Sequence, residues 1–82
     1  MTELARTPKQ IGNSIRRTRK KRGLNQAQLA AVSGLRQETI SLIETGNPAT
    51  KLGTILAVLA ALDLEFQIAP RSRENTSIED IF

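Results

Sequence analysis

The sequence predicts one all-α domain of four to five short helices, followed by a single C-terminal β-strand. A chain of 82 residues has the length of one domain. Apolar residues recur at spacings of three and four along most of it, which indicates amphipathic helices. Glycines and an Asn-Pro pair separate these stretches, and such residues end helices. After Leu62 apolar and polar residues alternate instead, and this alternation is typical of a strand.

Capping residues indicate where the helices begin. Two helices start with a pair of side chains that can form a capping box, namely Thr7 with Gln10 and Asn25 with Gln28. These pairs predict helices over about residues 8–22 and 25–32. A third helix is predicted over about residues 37–45, and a fourth over about residues 51–62 with Thr50 as its cap.

The alternating segment Leu64–Ile68 is the predicted strand, and a helical chain offers it no partner strand. Pairing with the same strand of a second copy would satisfy its backbone hydrogen bonds. The fourth helix is apolar on nearly all sides, which indicates burial or contact with a second subunit. We therefore expect a homodimer whose interface contains Leu56, Leu59, Leu64, Phe66 and Ile68.

The composition argues against several kinds of site. Cysteine and histidine are both absent, so the chain has no thiolate nucleophile, no imidazole base and neither of the commonest zinc ligands. Its five glycines fit no phosphate-loop spacing. We expect no enzyme activity, no metal and no cofactor. Without an apolar run long enough to span a membrane, and without a signal peptide, we expect a cytoplasmic protein with no membrane partner.

Charge is unevenly distributed along the chain. Residues 1–62 carry ten basic and three acidic side chains, whereas residues 63–82 carry two basic and five acidic ones. A positive section of this kind is typical of nucleic-acid binding, although a basic run can also be a solvated helix face. The competing interpretation is a protein–protein module, which would show no salt-dependent binding to DNA.

Residues 24–46 resemble the helix-turn-helix of the phage-repressor-like, XRE-type family of DNA-binding proteins. The positions that match the family motif are Gln26, Leu29, Ala30, Gly34, Leu35, Gln37, Thr39, Ile40, Ser41, Ile43, Glu44 and Gly46. The resemblance implies a lambda-repressor-like bundle in which the third helix enters the major groove of double-stranded DNA. It also implies an ion pair between Arg19 and Glu44 that joins the first helix to the third.

The same resemblance implies which residues contact DNA. Base contacts are expected from Arg36, Gln37, Glu38, Ser41 and Leu42. Glu38 would accept from a cytosine or repel phosphate, and Leu42 would meet a thymine methyl group or turn inward. Phosphate contacts are expected from Gln26, Thr39, Thr45, Asn47, Lys51 and Arg16.

A basic helix-turn-helix, an apolar fourth helix, a single strand and a polar tail resemble HipB-type antitoxins, the autorepressing partners of HipA-type serine/threonine kinase toxins. This resemblance implies a near-palindromic operator and a kinase toxin as partner. A stand-alone phage- or plasmid-type repressor and an antitoxin of a ribonuclease toxin stay open.

Three regions are expected along the chain. Residues 1–6 would be a flexible arm, residues 7–70 the DNA-binding and dimerisation domain, and residues 71–82 a disordered tail. Candidate residues for toxin docking in that tail, or for a degradation signal, are Ile78, Ile81 and Phe82.

Overall fold

The computed structural model describes residues 3–71, and these residues form four helices. They are α1 (Pro8–Lys21), α2 (Gln26–Ser33), α3 (Gln37–Glu44) and α4 (Leu52–Ala61). The prediction of an all-α fold is confirmed, and all four helices begin and end within one residue of their predicted bounds. The predicted docking residues Ile78, Ile81 and Phe82 lie outside the described residues.

The first two helices are capped by the predicted residues. At α1 the Thr7 hydroxyl accepts from the Gln10 backbone N–H at 3.1 Å, while the Gln10 side chain accepts from the backbone of Arg6. At α2 the capping box is complete. The Asn25 side chain accepts from the Gln28 backbone at 2.7 Å, and the Gln28 side chain accepts from the Asn25 backbone at 2.8 Å. These bonds fix the start of α2.

The predicted cap of α4 was wrong. The helix begins at Leu52, and the residue before it is Lys51, whose side chain has no acceptor and makes no capping bond. Thr50 lies instead inside the preceding turn, where its backbone N–H donates to the Asn47 carbonyl at 3.4 Å. The Asn47 side chain holds the same turn by accepting from the Ala49 backbone at 3.0 Å. Asn-Pro therefore organises the whole connection rather than only ending α3.

All four helices end in the same turn. A residue one or two positions after each helix has a positive φ, and the next backbone N–H donates to the carbonyl five residues earlier, as in a Schellman motif. The positive-φ residues are Gly23, Gly34, Gly46 and Asp63. Three are glycines, for which this conformation is inexpensive, but Asp63 has a φ of 59° with a side chain attached. This turn brings Leu64 back against α4, with its N–H 2.7 Å from the Leu59 carbonyl.

The core lies where the helices meet, and α1 crosses the end of α3 with almost no space between them. The buried apolar residues are Ile15, Leu29, Ala30, Ile40, Ile43, Val58 and Leu62. A Cβ atom on Gly12 would stand 2.2 Å from the Ile43 carbonyl oxygen and 2.9 Å from that of Glu44. Only glycine fits at this crossing, and the crossing sets the position of α3 on the bundle.

Residues 64–71 follow α4 without regular secondary structure in the single chain. The predicted strand would need a second chain to pair with, so its pairing stays a prediction. Among the expected dimer residues, Leu59 and Leu64 pack against the edge of their own core. Leu56, Phe66 and Ile68 are exposed, Ile68 to 91%. These three apolar side chains are therefore the part of the predicted interface that the single chain leaves uncovered.

The N-terminal residues 3–6 contact α1. The Glu3 carboxylate accepts from the Ser14 hydroxyl at 2.6 Å and from the Arg17 guanidinium at 2.5 Å. These two hydrogen bonds, that from Ser14 first, hold the pKa of Glu3 below its ordinary value because both favour the ionised carboxylate.

Candidate nucleic-acid interface

Helices α2 and α3 are joined by a short turn, which brings the start of α3 to the surface. Gly34 adopts a φ of 74° after α2, and Leu35 then donates its N–H back to the Ala30 carbonyl at 2.9 Å. Ala30 itself is buried between the helices. Arg36 follows with an extended backbone as the residue before α3, and its side chain is exposed.

Helix α3 has two faces of different character. The inner face carries the buried residues Ile40, Ile43 and Glu44. The outer face carries the predicted base contacts Gln37, Glu38, Ser41 and Leu42, which share one side because they are spaced three and four residues apart. Leu42 is 50% exposed, so it does not turn inward. Together with Arg36, these residues form one surface, which we call the outer face of α3.

The residues predicted to contact phosphate surround this helix. They are Gln26, Thr39, Thr45, Asn47, Lys51 and Arg16, of which Thr45, Lys51 and Arg16 are exposed and the others half-buried. The Thr45 hydroxyl donates to the Leu42 carbonyl at 3.0 Å, so in this conformation its oxygen can only accept a further hydrogen bond. Asn47 uses its side-chain oxygen in the turn before α4, which leaves its amide N–H groups as the donors available to a phosphate.

A buried polar network ties this surface to the bundle. Arg19 donates through Nε to Glu44 Oε2 at 2.6 Å and through Nη2 to Glu44 Oε1 at 3.1 Å. The side chains of this pair are only 9% and 4% exposed. Arg19 also donates to the Leu24 carbonyl at 2.8 Å, and the Gln26 amide donates to Glu44 Oε1 at 3.1 Å. The family resemblance indicated the Arg19–Glu44 pair, but sequence reasoning missed Gln26 and Leu24 as its further partners.

Positive charge lies on the side of α1 that faces the end of α3. Gly12 and Arg19 both contact residues at the end of α3, and Arg16 lies between them on the same side of α1. Lys9 belongs to this side too, since a Cβ on Gly46 would stand 2.8 Å from the Lys9 Cα. Sequence reasoning counted Lys9 as a charge but missed its place beside the turn that carries Thr45 and Asn47.

Two other cations are paired with acids. Arg17 contacts Glu3, and Arg22 Nη2 lies 3.9 Å from Asp63 Oδ2. Both pairs are exposed, so each contributes little to stability. Their effect is to reduce the positive charge at these two places.

Residues 3–71 also form a concave region away from α3. A cavity of about 450 Å³ lies between the N-terminal residues, α1 and the segment after α4, and none of the predicted DNA contacts lines it. The helices between residues 3 and 71 are all too short or too polar to cross a membrane. Within that part of the chain no group of three carboxylate, imidazole or thiol side chains is placed to hold a metal ion.

A helix pair joined by a tight turn, with an exposed polar face on its second helix, defines a regulator of the helix-turn-helix class. A family model described as helix-turn-helix matches residues 15–68. An HTH-type transcriptional regulator of Sinorhizobium fredii, itself uncharacterized, is 36% identical over 76 residues, which span 92% of this chain and 100% of that protein. Antitoxin HipB of Escherichia coli is 30% identical over 79 residues, which span 89% of this chain and 90% of HipB.

Solved structures point the same way. HipB in complex with an O4 20mer has a TM-score of 0.80 at 28% identity and covers 87% of this chain and all of that one. HipB in a HipA–HipB–O2–O3 complex has a TM-score of 0.78 at 30% identity, with the same coverage. The chain therefore belongs to the HipB-type, XRE-like branch of the helix-turn-helix family.

Proposed function

We propose that this chain is the antitoxin of a HipA-type serine/threonine kinase toxin and represses its own operon as a homodimer in the cytoplasm. One observation carries the proposal. An exposed polar face on α3 is held by a bundle that matches HipB over nearly its whole length. Solved complexes of HipB with 20mers and with HipA support both the DNA and the toxin as partners.

The outer face of α3 would enter the major groove. Arg36 would bond the O6 and N7 atoms of a guanine and Gln37 the N6 and N7 atoms of an adenine, each with about 1–3 kcal/mol of discrimination. Ser41 can bond either kind of base, and Glu38 would accept from a cytosine N4 or disfavour a closer approach of phosphate. Gln26, Thr39, Asn47, Lys51 and Arg16 would hold the backbone on either side of the helix, and Thr45 would do so once its hydroxyl turned from the Leu42 carbonyl to a phosphate.

Dimerisation would set two recognition helices against one operator. Leu56, Phe66 and Ile68 are exposed in the single chain, and pairing of residues 64–68 across a two-fold axis would cover them. To enter successive major grooves the two copies of α3 would lie about 34–36 Å apart, one turn of DNA, and their two-fold symmetry would require a near-palindromic operator.

Binding should depend steeply on salt. Two phosphate-contacting cations in each protomer, Arg16 and Lys51, make about four in the dimer. The logarithm of the association constant should therefore fall with the logarithm of salt concentration with a slope of about −3 to −4. Replacing Lys51 by Gln should make that slope shallower by about 2, because each dimer loses two phosphate contacts. Gln37→Ala should lower the affinity and leave the slope unchanged.

Co-expression with the genes that neighbour its own tests the toxin half of the proposal. The chain and a HipA-type kinase should co-purify in fixed stoichiometry and together retard a duplex from their own promoter. A matched variant, Gln37→Ala, should lose the duplex and keep the kinase. A second variant that ends at residue 70 should keep the duplex and lose the kinase, if the candidate docking residues Ile78, Ile81 and Phe82 bind it.

The principal rival is a stand-alone regulator, and the full-length similarity to the Sinorhizobium fredii transcriptional regulator favours it. Promoter binding by a dimer that captures no toxin would establish this rival. Capture of a ribonuclease instead of a kinase would identify the other rival, an antitoxin of a different toxin class.

A further inference from the structure

Leu42 is an exception among the apolar residues of α3. Its sequence neighbours on the inner face, Ile40 and Ile43, are 0% and 2% exposed, whereas Leu42 is 50% exposed. The core is complete without its side chain. The side chain of Leu42 therefore contributes little to folding, and it lies on the face that carries the predicted base contacts.

The position of Leu42 is well fixed. Its carbonyl accepts from the Thr45 hydroxyl at 3.0 Å and from the Asn47 backbone N–H at 3.0 Å. Helical spacing places it one turn after Glu38 and beside Ser41, within the outer face of α3. If Glu38 and Ser41 reach the bases of the major groove, the Leu42 side chain reaches them as well.

Chemistry selects one partner for it. A leucine side chain has no donor or acceptor, so against a phosphate or a polar base edge it would only remove water. In the major groove thymine is the base that presents an apolar group, its C5-methyl. We propose that Leu42 is a specificity-determining residue that packs on a thymine methyl in each half-site of the operator. This proposal rests on the DNA-binding function proposed above.

The expected effect is moderate and measurable. Burial of one methyl-sized group against an apolar side chain changes affinity about fourfold, and two half-sites of a symmetric operator make this about fifteenfold. Uracil differs from thymine only by that methyl, so replacing thymine by uracil removes the contact and leaves every hydrogen bond of the base pair. The perturbation lies in the DNA and cannot unfold the protein.

The test uses duplexes that the full-length protein selects from a random-sequence library, each then synthesised with uracil at one thymine position at a time. At one position per half-site uracil should weaken the wild-type protein about fourfold. At that position the Leu42→Ala variant should bind the thymine and uracil duplexes equally. Val32→Ala is the matched control, because Val32 is 62% exposed on α2 outside this face and should retain the full wild-type difference.

The outcomes separate two kinds of failure. The thymine contact is refuted if the selected duplexes bind tightly but replacing thymine by uracil weakens binding at no position. It is refuted equally if that replacement weakens Leu42→Ala as much as it weakens the wild type. In both cases DNA binding stands. If the library yields no preferred sequence, the proposed function fails and the thymine contact fails with it.

Discussion

Replacing Arg19 by methionine should be one of the most destabilising substitutions in this chain. Glu44 is 4% exposed, and of its three hydrogen-bond donors two belong to Arg19 and one to Gln26. Arg19→Met would leave a buried carboxylate with a single neutral donor. Removing one partner of a buried pair costs about 3–5 kcal/mol. A domain of this size has about 4–12 kcal/mol of stability in total, so a large share would be lost.

The companion variants distinguish a stranded charge from lost packing. The double variant Arg19→Met, Glu44→Met removes both charges and keeps most of the volume, so it should recover much of the stability lost in Arg19→Met. Gln26→Ala should cost less than Arg19→Met, because it removes one hydrogen bond to a charged group, worth about 1.5–3 kcal/mol, from a half-buried site. Arg17→Met is the control, since its pair with Glu3 is exposed and should contribute little.

Urea unfolding followed by far-ultraviolet circular dichroism is the appropriate assay, because the chain has no tryptophan or tyrosine to report by fluorescence. The reasoning is refuted if Arg19→Met costs under about 1 kcal/mol, well below the cost of stranding a buried charge. It is refuted equally if the double variant is as unstable as the sum of the two single variants, because a stranded charge requires strong coupling.

Four other changes test separate features of the fold. Gly12→Ala should destabilise the protein strongly in thermal unfolding, because the new Cβ would meet the backbone of α3. Gly53 has open space around it, so Gly53→Ala should stabilise the protein by about 0.5–1 kcal/mol. Similar effects at both sites would contradict the close crossing of α1 and α3. Asp63→Gly should raise stability by about 1 kcal/mol by removing strain at a positive φ, and a loss would mean that the aspartate side chain contributes more than that strain. In an NMR titration the pKa of Glu3 should lie below the ordinary glutamate value of about 4.3. Its contact with α1 should therefore be complete well above that pH and be lost as the pH falls through the lower folded-state pKa. An unshifted pKa would contradict the contact. Ile68→Glu should leave the fold intact, since the side chain is 91% exposed, but shift sedimentation toward the monomer, and an unchanged dimer would exclude this residue from the interface.

Most of the helical framework was predictable because local interactions determine it. The capping box of Asn25 and Gln28 and the glycines that end three helices act within a few residues, so their sequence patterns suffice. The end of α4 was predicted to within one residue, but the turn that follows it was not. Asp63 adopts the conformation that glycine adopts elsewhere, and an aspartate is a much weaker sequence signal for it than a glycine.

Features that depend on contacts between helices could not be predicted from local patterns. Gly12 inside α1 suggests only a weaker helix until the α3 carbonyls beside it are known. The bond from Gln26 to Glu44 joins residues eighteen positions apart, and only the packed bundle brings them together. The exposure of Leu42 likewise decides between two orientations that its position in the sequence left open.

The separation of the two faces of α3 has a consequence for how proteins of this kind diverge. Ile40, Ile43 and Glu44 hold the helix in place, while Gln37 and Glu38 are exposed to solvent. Mutations at the exposed positions therefore escape the selection that maintains folding. After gene duplication one copy can acquire a new operator through a few such changes while its scaffold stays the same. Two copies in one genome can then control different promoters without interfering with each other.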